Sequence, residues 1–303
     1  IRRIRVDSII EVDNLTKDYG FGRGVFDVSF KVGKGEVFGF LGPNGAGKST
    51  TIRHLMGFSR PDKGQTKIFG KPTFDRYYEI LNHVGYIPGE IALPQGLTGI
   101  EFLHMMQSLQ KIHNEQRLNE LLDLFQLDSV TLKGETKRMS LGVKRKLAIV
   151  AAFMSDPEVL ILDEPTSGLD PVMQEVFIEF IKKEKERGKT ILLSSHIFTE
   201  VDATCDRIAI IKDGRIVSEF IANDLKHAKT KFYQIEFESK KDYEDFCSAN
   251  RKSKIMTILS TKDEINQVMI SAHDDNINKV VEQLSNYHIA EFTNIKETLE
   301  DYF

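Results

Sequence analysis

The sequence lacks the features that mark several classes of protein. Its 303 residues contain no tryptophan and only two cysteines, Cys205 and Cys247, which excludes a disulfide framework and a cysteine-rich metal site. No apolar run approaches the roughly 20 residues of a membrane-spanning helix. The formal net charge of −4 gives no general attraction to nucleic acid or to anionic lipid, so nucleic acid is not an expected partner. These absences predict a soluble, cytosolic chain that reaches a membrane only through a partner.

The composition is that of an ordinary globular protein, with 41% hydrophobic and 28% charged residues. The length suits one large domain and one small domain. A polar stretch near residues 223–230 separates two regions of regular apolar patterning. It predicts a first domain over residues 9–222 and a second domain over residues 230–303.

Apolar patterning in the first region predicts an α/β fold in which strands alternate with helices. Strands are predicted at residues 9–15, 26–32, 37–41, 84–87, 159–162, 190–194, 208–211 and 215–217, and helices after residue 48 and at residues 98–110, 114–124, 142–154 and 171–187. Thr98 and Glu101 have the spacing of a capping box, and Asp213-Gly214 is typical of a hairpin turn. We expect a small antiparallel sheet followed by a mostly parallel sheet covered by helices.

The second region has the element order β-α-β-β-α-β, which predicts a small split βαβ sandwich. Strands are predicted at residues 232–237, 255–259, 267–270 and 289–292, and helices at residues 242–249, 276–286 and from residue 295. In the second helix, Ile277, Val280, Val281 and Leu284 have the spacing of one buried face. His273 and His288 lack metal-ligand spacing, so no chemistry is assigned to this region.

A glycine-rich loop follows the strand predicted at residues 37–41 and precedes a helix. It fits the pattern G-x-x-x-x-G-K-[ST] and consists of Gly42, Pro43, Asn44, Gly45, Ala46, Gly47, Lys48, Ser49 and Thr50. Glycines at these places let backbone N–H groups close around phosphate oxygens. Lys48 is then expected to reach the β and γ phosphates of a nucleotide, and Ser49 a Mg²⁺ ion. The loop predicts ATP as a ligand.

Two carboxylates follow the fully apolar strand predicted at residues 159–162. Ligands of open α/β sheets bind at the carboxyl ends of the strands, so these side chains are expected beside the phosphates. Asp163 is the predicted Mg²⁺ residue, and Glu164, one step further, is the predicted general base that activates water.

Together, these motifs resemble those of the nucleotide-binding subunit of ATP-binding cassette (ABC) transporters. The resemblance covers residues 9–217 and keeps the motifs in the family's order. It implies an antiparallel β subdomain, a parallel-sheet core and a helical subdomain over about residues 95–154. The second region and the departures from the motifs are similar to the separate ATPase subunits of bacterial type-two exporters, which include drug, antibiotic and bacteriocin efflux systems.

Two further segments resemble parts of the family that act across a dimer. Met139-Ser140-Leu141-Gly142-Val143 occupies the place of the L-S-G-G-Q signature, and the resemblance implies that Ser140 and Gly142 contact the nucleotide of the opposite copy. Leu141 and Val143 depart from the motif. Ser167-Gly168-Leu169-Asp170 resembles the D-loop, which implies a place for Asp170 beside the nucleotide.

Two single residues also stand where the family has functional groups. His196 follows the strand predicted at residues 190–194 and resembles the switch histidine, which contacts the γ phosphate and holds the attacking water. Tyr19 stands where the family stacks an aromatic ring on adenine.

The Q-loop is the clearest departure, because Gly89 follows the strand-end proline where the family has glutamine. Either Glu90 or Gln95 can replace that residue, and Glu90 is preferred since a carboxylate can approach Mg²⁺ directly. In the family a permease helix docks beside this loop. The nearby residues at helical spacing, which serve either that surface or the core, are Phe102, Met105, Met106 and Leu109.

The resemblance implies an ATP-hydrolysing motor that dimerises around two Mg-ATP and drives a separate transmembrane permease from the cytoplasmic face of the membrane. A weakly hydrolysing, nucleotide-dependent regulator is one alternative, because the signature and the Q-loop are altered. A soluble ABC protein that acts on ribosomes or DNA is the other. Such proteins usually carry two cassettes or a long coiled-coil insertion, whereas this sequence has one glycine-rich loop and no sustained heptad repeat.

Overall fold

The computed structural model describes residues 8–222, 230–251, 253 and 255–295. The chain divides into two compact units, one up to Ala222 and the other from Asn223. The polar stretch at residues 223–229 and the end of the chain at residues 296–303 lie outside the described residues. Among the described residues, no helix has the length and apolar character needed to span a membrane.

In the first unit, strands and helices alternate over most of the described length. The strands are β1 (Ser8–Asp18), β2 (Gly24–Gly33), β3 (Val37–Leu41), β4 (Lys63–Ile68), β5 (Lys71–Pro72), β6 (Val84–Ile87), β7 (Val159–Asp163), β8 (Thr190–Ser195), β9 (Arg207–Lys212) and β10 (Arg215–Ile221). The helices are α1 (Lys48–Leu55), α2 (Thr73–Ile80), α3 (Gly99–Gln110), α4 (Glu115–Leu124), α5 (Ser129–Lys133), α6 (Leu141–Phe153), α7 (Pro171–Glu186) and α8 (Phe198–Thr204).

These strands form two sheets. One is antiparallel, with the order β2-β1-β4-β5. The other has the order β10-β9-β3-β8-β7-β6, in which every pair is parallel except the hairpin of β9 and β10. Strands β3, β7 and β8 are buried along their whole length, as a parallel sheet covered on both faces requires. The predicted α/β architecture is confirmed.

The two sheets of the first unit share one apolar core. Phe30 of the antiparallel sheet stacks on Phe38 of the central sheet with ring centroids 5.0 Å apart, and it lies 5.2 Å from the ring of Phe40. Ile52 and Leu55 of α1 are fully buried in the same cluster. The helix after the glycine-rich loop is therefore anchored by its apolar face, which leaves its first turn free to serve a site.

The sequence analysis did not predict several short helices and strands. Four α-helices, not three, lie between β6 and β7, because α5 was missed. Strand β4, helix α2 and helix α8 were missed as well. Strand β4 reads Lys-Gly-Gln-Thr-Lys-Ile and is half exposed, so it has no apolar alternation to detect. The predicted capping box of Thr98 and Glu101 at the start of α3 is confirmed, because each side chain accepts a hydrogen bond from the backbone N–H of the other residue.

The second unit is the predicted βαββαβ sandwich. Its elements are β11 (Thr230–Phe237), α9 (Lys240–Asn250), β12 (Met256–Lys262), β13 (Gln267–His273), α10 (Ile277–Leu284) and β14 (Ile289–Ile295). The strands have the order β12-β13-β11-β14, and all neighbours are antiparallel. The core is built from the inward faces of the sheet and of both helices, with Phe246 fully buried against Phe237 and Tyr287.

Two predictions for this unit are wrong in detail. Val281 is 50% exposed, whereas Val280 and Leu284 are buried. Helix α10 has only eight residues and covers the sheet with a narrow stripe, so the residue next to Val280, about 100° further around the helix, faces outward. Ile295 ends strand β14 and begins no helix. The remainder of the predicted terminal helix lies outside the described residues.

The different burial of Val280 and Val281 on α10 gives a matched pair of substitutions. Val280→Ala should lower the free energy of unfolding by about 2 kcal/mol, because it leaves a cavity in the core. Val281→Ala should change it by less than about 0.5 kcal/mol, because that side chain is half exposed. Urea unfolding of the full chain, followed by circular dichroism, measures both. Equal losses would contradict the assigned helix face.

Candidate functional site

The candidate site lies where three neighbouring parallel strands end. Leu41 at the end of β3 pairs with Ser195 of β8, and Asp163 at the end of β7 pairs with Ser194. Because the carboxyl ends of parallel strands meet at one edge of the sheet, the three segments that follow them converge. The structure thus brings together the glycine-rich loop, Glu164 and His196.

The glycine-rich loop is tight at both ends and open in the middle. A Cβ at Gly42 would lie 2.4 Å from the carbonyl oxygen of Ile211, and one at Gly47 would lie 2.7 Å from Val25 Cγ1. A Cβ at Gly45 would meet nothing within 4 Å. Pro43, Asn44 and Gly45 are exposed, and Ala46 is buried. The loop therefore forms a fixed, open cradle.

Helix α1 begins immediately after this cradle. Its N-cap, Gly47, has a φ of 112°, and its first turn carries no acidic side chain. Ser49 and Thr50 are half-buried in that turn. Unpaired N–H groups and the positive end of the helix dipole favour an anion at such a position. The local charge and the open cradle fit a phosphate group.

Lys48 crosses the loop and is 5% exposed. Its Nζ donates to the carbonyl oxygens of Gly42 at 2.6 Å and Pro43 at 3.2 Å. It also forms an ion pair with Glu164 Oε1 at 3.1 Å. The ammonium group is thus held in position by the loop, and it neutralises part of the carboxylate charge.

Glu164 occupies the centre of the site. Its backbone has a φ of 50°, in the left-handed region, and its N–H donates to the carbonyl oxygen of Ser194 at 3.1 Å. His196 Nδ1 lies 2.6 Å from its Oε2. Its Oε1 is buried and accepts no hydrogen bond. His196 thus holds Oε2, while Oε1 has the Lys48 ion pair as its partner and keeps acceptor capacity for a hydrogen bond, which suits a group that takes a proton.

Asp163 is 3% exposed and is fixed from β8, since Ser194 Oγ donates to its Oδ1 at 2.5 Å. A Cβ at position 89 would lie 3.1 Å from Asp163 Oδ2. A Cβ at position 89 would be tight against this carboxylate, so glycine leaves more space beside it. Glu90 and Gln95 are both exposed.

Ser195 and Glu200, on either side of His196 in the chain, form a hydrogen-bonded pair. The sequence analysis did not predict it. Ser195 Oγ donates to Glu200 Oε2 at 2.6 Å and accepts from the N–H of Ile197 at 2.9 Å. Glu200 lies on α8 and is 3% exposed. Burial raises the pKa of Glu200 to about 7, against the hydrogen bond from Ser195, which lowers the pKa. The turn that carries His196 is thus held by an acid that titrates near neutral pH.

The segments that resemble the signature and the D-loop are both helix starts. Ser140 is the exposed N-cap of α6, and its Oγ accepts from the N–H of Val143 at 3.3 Å. Asp170 caps α7 in the same way, through the N–H of Met173 at 3.0 Å. Gly142 lies against Gly168, since a Cβ at position 142 would be 3.0 Å from the Gly168 carbonyl oxygen. The two segments are therefore in contact with each other.

Leu141 also belongs to this contact. A Cβ at Gly168 would lie 2.8 Å from two atoms of the Leu141 side chain. The leucine that departs from the family's glycine therefore packs over the D-loop segment. No hydrogen bond or ion pair among the described residues joins Ser140 to the glycine-rich loop of the same chain.

Tyr19 lies in the loop between β1 and β2, 50% exposed, with Lys17 Nζ 6.0 Å from its ring centroid. Val25, at the start of β2, is the residue that crowds Gly47. The tyrosine is therefore on the connection that borders the glycine-rich loop, and its ring is accessible for stacking.

An apolar groove of about 470 Å³ lies beside the end of β6. Its lining includes Phe58, Tyr86 and Pro88, with Met106 and Leu109 of α3 on another side. Phe102 also lines it but is only 6% exposed, and Met105 is half-buried and is not part of the lining. The helical row predicted at residues 102–109 is thus divided between core and surface.

The pKa of Glu200 generates a prediction about stability. Because the folded chain holds this proton more tightly than the unfolded chain, the stabilising contribution is complete below the ordinary value of 4.5 and is lost as the pH rises through about 7. Glu200→Gln removes this titration and keeps an acceptor for Ser195. The variant's free energy of unfolding, relative to the unsubstituted chain, should rise by about 2–3 kcal/mol from about pH 5 to about pH 8.

Urea unfolding at the two pH values measures this difference. Glu186→Gln, at the exposed end of α7, is the matched control and should show no such rise. A constant difference between Glu200→Gln and the unsubstituted chain at both pH values would contradict the assignment.

Comparison with known proteins identifies the family. The sequence profile described as ABC transporter matches residues 25–167. The chain is 33% identical to the uncharacterized ABC transporter ATP-binding protein YhcH of Bacillus subtilis, over 98% of this chain and 95% of that protein. It is 32% identical to the bacitracin transport ATP-binding protein BcrA of Bacillus licheniformis, over 98% of this chain and 97% of that protein.

Comparison with solved structures supports the same assignment. A structure of the ATP-binding subunit of an ABC transporter has 33% sequence identity and a TM-score of 0.67, and the match covers 73% of this chain and 93% of that one. A dimeric ATP-binding cassette bound to ADP and Pi, 24% identical, shares the fold with a TM-score of 0.64 over 70% of this chain and 98% of that one. The resemblance inferred from the motifs is confirmed: the chain belongs to the ABC transporter family as an ATP-binding protein, and it is an ATPase.

Proposed function

We propose that the chain is the ATP-hydrolysing motor subunit of a bacterial exporter, which closes as a dimer around two Mg-ATP and drives a separate permease. The observation that carries the hydrolytic part is the Glu164 carboxylate, held between Lys48 at 3.1 Å and His196 at 2.6 Å. A base, a cation and a histidine thus meet at the end of one sheet. This arrangement suits the activation of water next to a phosphate.

Lys48 and Glu164 are each other's partner in the structure described here. A bound triphosphate would offer Lys48 a stronger anion at the open cradle of the glycine-rich loop. Glu164 would then lose one positive neighbour and keep His196, which makes its buried Oε1 available to accept a proton from water. His196 would orient that water and hold Glu164 in place through its contact with Oε2.

Mg²⁺ is part of the proposal, and the donor set fits it. Ser49 supplies a hydroxyl at the start of α1, and Asp163 supplies a buried carboxylate held in place by Ser194. Glu90 is a further, exposed carboxylate on the following loop. Hard oxygen donors of these types are what Mg²⁺ takes in nucleotide sites. The ion would neutralise phosphate charge when bound.

The dimer in this proposal uses the start of α6, where Ser140 has no polar contact with the glycine-rich loop of its own chain among the described residues. Ser140 and Gly142 sit at the N-terminus of α6, where backbone N–H groups favour an anion. Facing a second copy, they would contact its γ phosphate. Asp170 at the start of α7 and Tyr19 against adenine complete the proposed nucleotide contacts.

The apolar groove supports a separate permease as the partner. Exposed apolar surface such as Leu109, at 69%, and Phe58, at 59%, is typical of a docking surface when it lines a concavity. The groove includes Pro88, directly before the residue that borders Asp163. A permease seated here would act on the catalytic end of β7 and place the chain at the cytoplasmic face of the membrane.

Export as the direction of transport is supported by the names of relatives. Besides the bacitracin transport protein, the chain is 36% identical to the Nod factor export ATP-binding protein I of Sinorhizobium fredii, over 72% of this chain and 64% of that protein. In this proposal the residues of the site contact nucleotide, so they would not select the transported substrate.

Glu164→Gln tests the motor. The variant should bind ATP and lose turnover by about a hundredfold or more, because its amide accepts no proton from water. Its mass in solution should double with excess Mg-ATP and not without nucleotide. Mass and phosphate release are measured on the full chain, with the exposed Glu175→Gln as control. Retained turnover would exclude Glu164 as the base, and a mass unaffected by ATP would count against the sandwich.

Leu109→Asp tests the groove. A carboxylate in an apolar docking surface should reduce the membrane-bound fraction of the chain in its native cells by about tenfold and leave the ATPase activity of the isolated chain unchanged. Leu124→Asp, exposed on α4 and not part of the groove lining, is the control. Equal membrane-bound fractions for the two variants would contradict docking at this groove.

A further inference from the structure

Arg145 is a buried cation that the proposed reaction does not use. It lies on α6, five residues after Ser140, and is 1% exposed. Burial lowers the pKa of Arg145, while the charges of Asp163 and Glu164 act in the opposite direction. Placing a guanidinium in such surroundings is costly unless its donors are satisfied.

Each of its three nitrogens donates to a carbonyl oxygen. Nη1 donates to Pro88 at 2.9 Å and Nη2 to Gly89 at 2.7 Å. Nε donates to the carbonyl oxygen of Ser167 at 2.9 Å. Among the described residues, no carboxylate forms an ion pair with Arg145. From its place on α6, the Arg145 side chain therefore links the backbone of the segment after β6 to the backbone of the segment after β7.

Each of these two segments also contributes to a surface or site described above. Pro88 lines the apolar groove, and Gly89 borders Asp163. On the other side, the N–H of Ser167 donates to the carbonyl oxygen of Glu164 at 3.1 Å, so that one turn separates the guanidinium from the proposed base. The planar fork of arginine fixes the distance between the two segments, which a lysine with a single nitrogen cannot do.

The geometry points to Arg145 as a positioning residue that couples the groove to the catalytic turn, so that a partner which moves Pro88 also moves Ser167 and Glu164. This inference rests on the proposed function, since it takes the groove as the permease site. Arg145 touches neither the glycine-rich loop nor His196 among the described contacts. Its effect on hydrolysis is therefore indirect.

The test compares Arg145→Gln and Arg145→Lys with the unsubstituted full chain. Hydrogen exchange of residues 84–92 and 164–170 is followed by mass spectrometry, with and without the ATP analogue AMP-PNP and Mg²⁺. In the unsubstituted chain the analogue should slow exchange in both segments. In both variants it should slow exchange at residues 164–170 and have little effect at residues 84–92, because the fork that joins the segments is gone.

Steady-state kinetics give a second readout. Both variants should lose about tenfold in kcat, with a change in KM for ATP of less than about threefold. Arg117→Gln is the matched control, since Arg117 is a largely buried arginine of the same unit that pairs with Glu184 away from these segments. It should keep the coupled exchange and the kcat, even where its thermal stability falls as far as that of the Arg145 variants.

Three results would overturn the inference. The first is full activity in Arg145→Lys, because the fork would then be dispensable. The second is an effect of AMP-PNP on residues 84–92 that persists in both variants. The third result is obtained on the unsubstituted chain and so does not depend on the folding of a variant. It is that AMP-PNP slows exchange at residues 164–170 and does not slow exchange at residues 84–92. Failure of the proposed permease site is a different observation, namely equal membrane-bound fractions for Leu109→Asp and Leu124→Asp.

Discussion

The parallel pairing of β3, β7 and β8 is the constraint on which the site depends. Because Asp163 pairs with Ser194 and Leu41 with Ser195, three connections begin at the same level of one sheet. A shift of one residue in either pairing would move the carboxylates away from Lys48 and turn side chains to the opposite face. The fully apolar strands stabilise this register, since each is buried on both sides.

The charges at this edge compensate one another. Lys48 is 5% exposed, and the Glu164 side chain is 16% exposed. Desolvating either group alone is costly, which favours the ion pair between them. In the proposed function, a triphosphate at the cradle would compete for the same ammonium group. Binding and the release of the proposed base would then be linked by one shared cation.

Local signals were reliable where chemistry and backbone geometry coincide. Gly47 is required because its φ is 112° and because Val25 leaves no room for a Cβ. The hairpin turn at Asp213 and Gly214 has the positive φ values that this dipeptide favours. Helix starts at Thr98 and Ser140 follow from their hydroxyls. Apart from the crowding of Gly47 by Val25, which is a tertiary contact, these features depend on neighbours in the chain, so the sequence alone predicts them.

Periodicity was a weaker guide where elements are short. Helix α8 has seven residues and β4 is half exposed, so neither shows a pattern long enough to stand out. Val281 fits the apolar spacing of its helix and yet is half exposed. How much of a helix is covered depends on what packs against it, which spacing does not record.

The sequence by itself determined the family, the glycine-rich loop, the two carboxylates and the histidine, because each depends on residue type at short spacing. Only the tertiary structure decided that Ser194 holds Asp163, that Glu200 holds the turn of His196 and that Arg145 joins two segments. Arg145 reaches carbonyl oxygens 22 and 56 residues away. Since every residue carries a carbonyl oxygen, no pattern in the sequence marks such a partner.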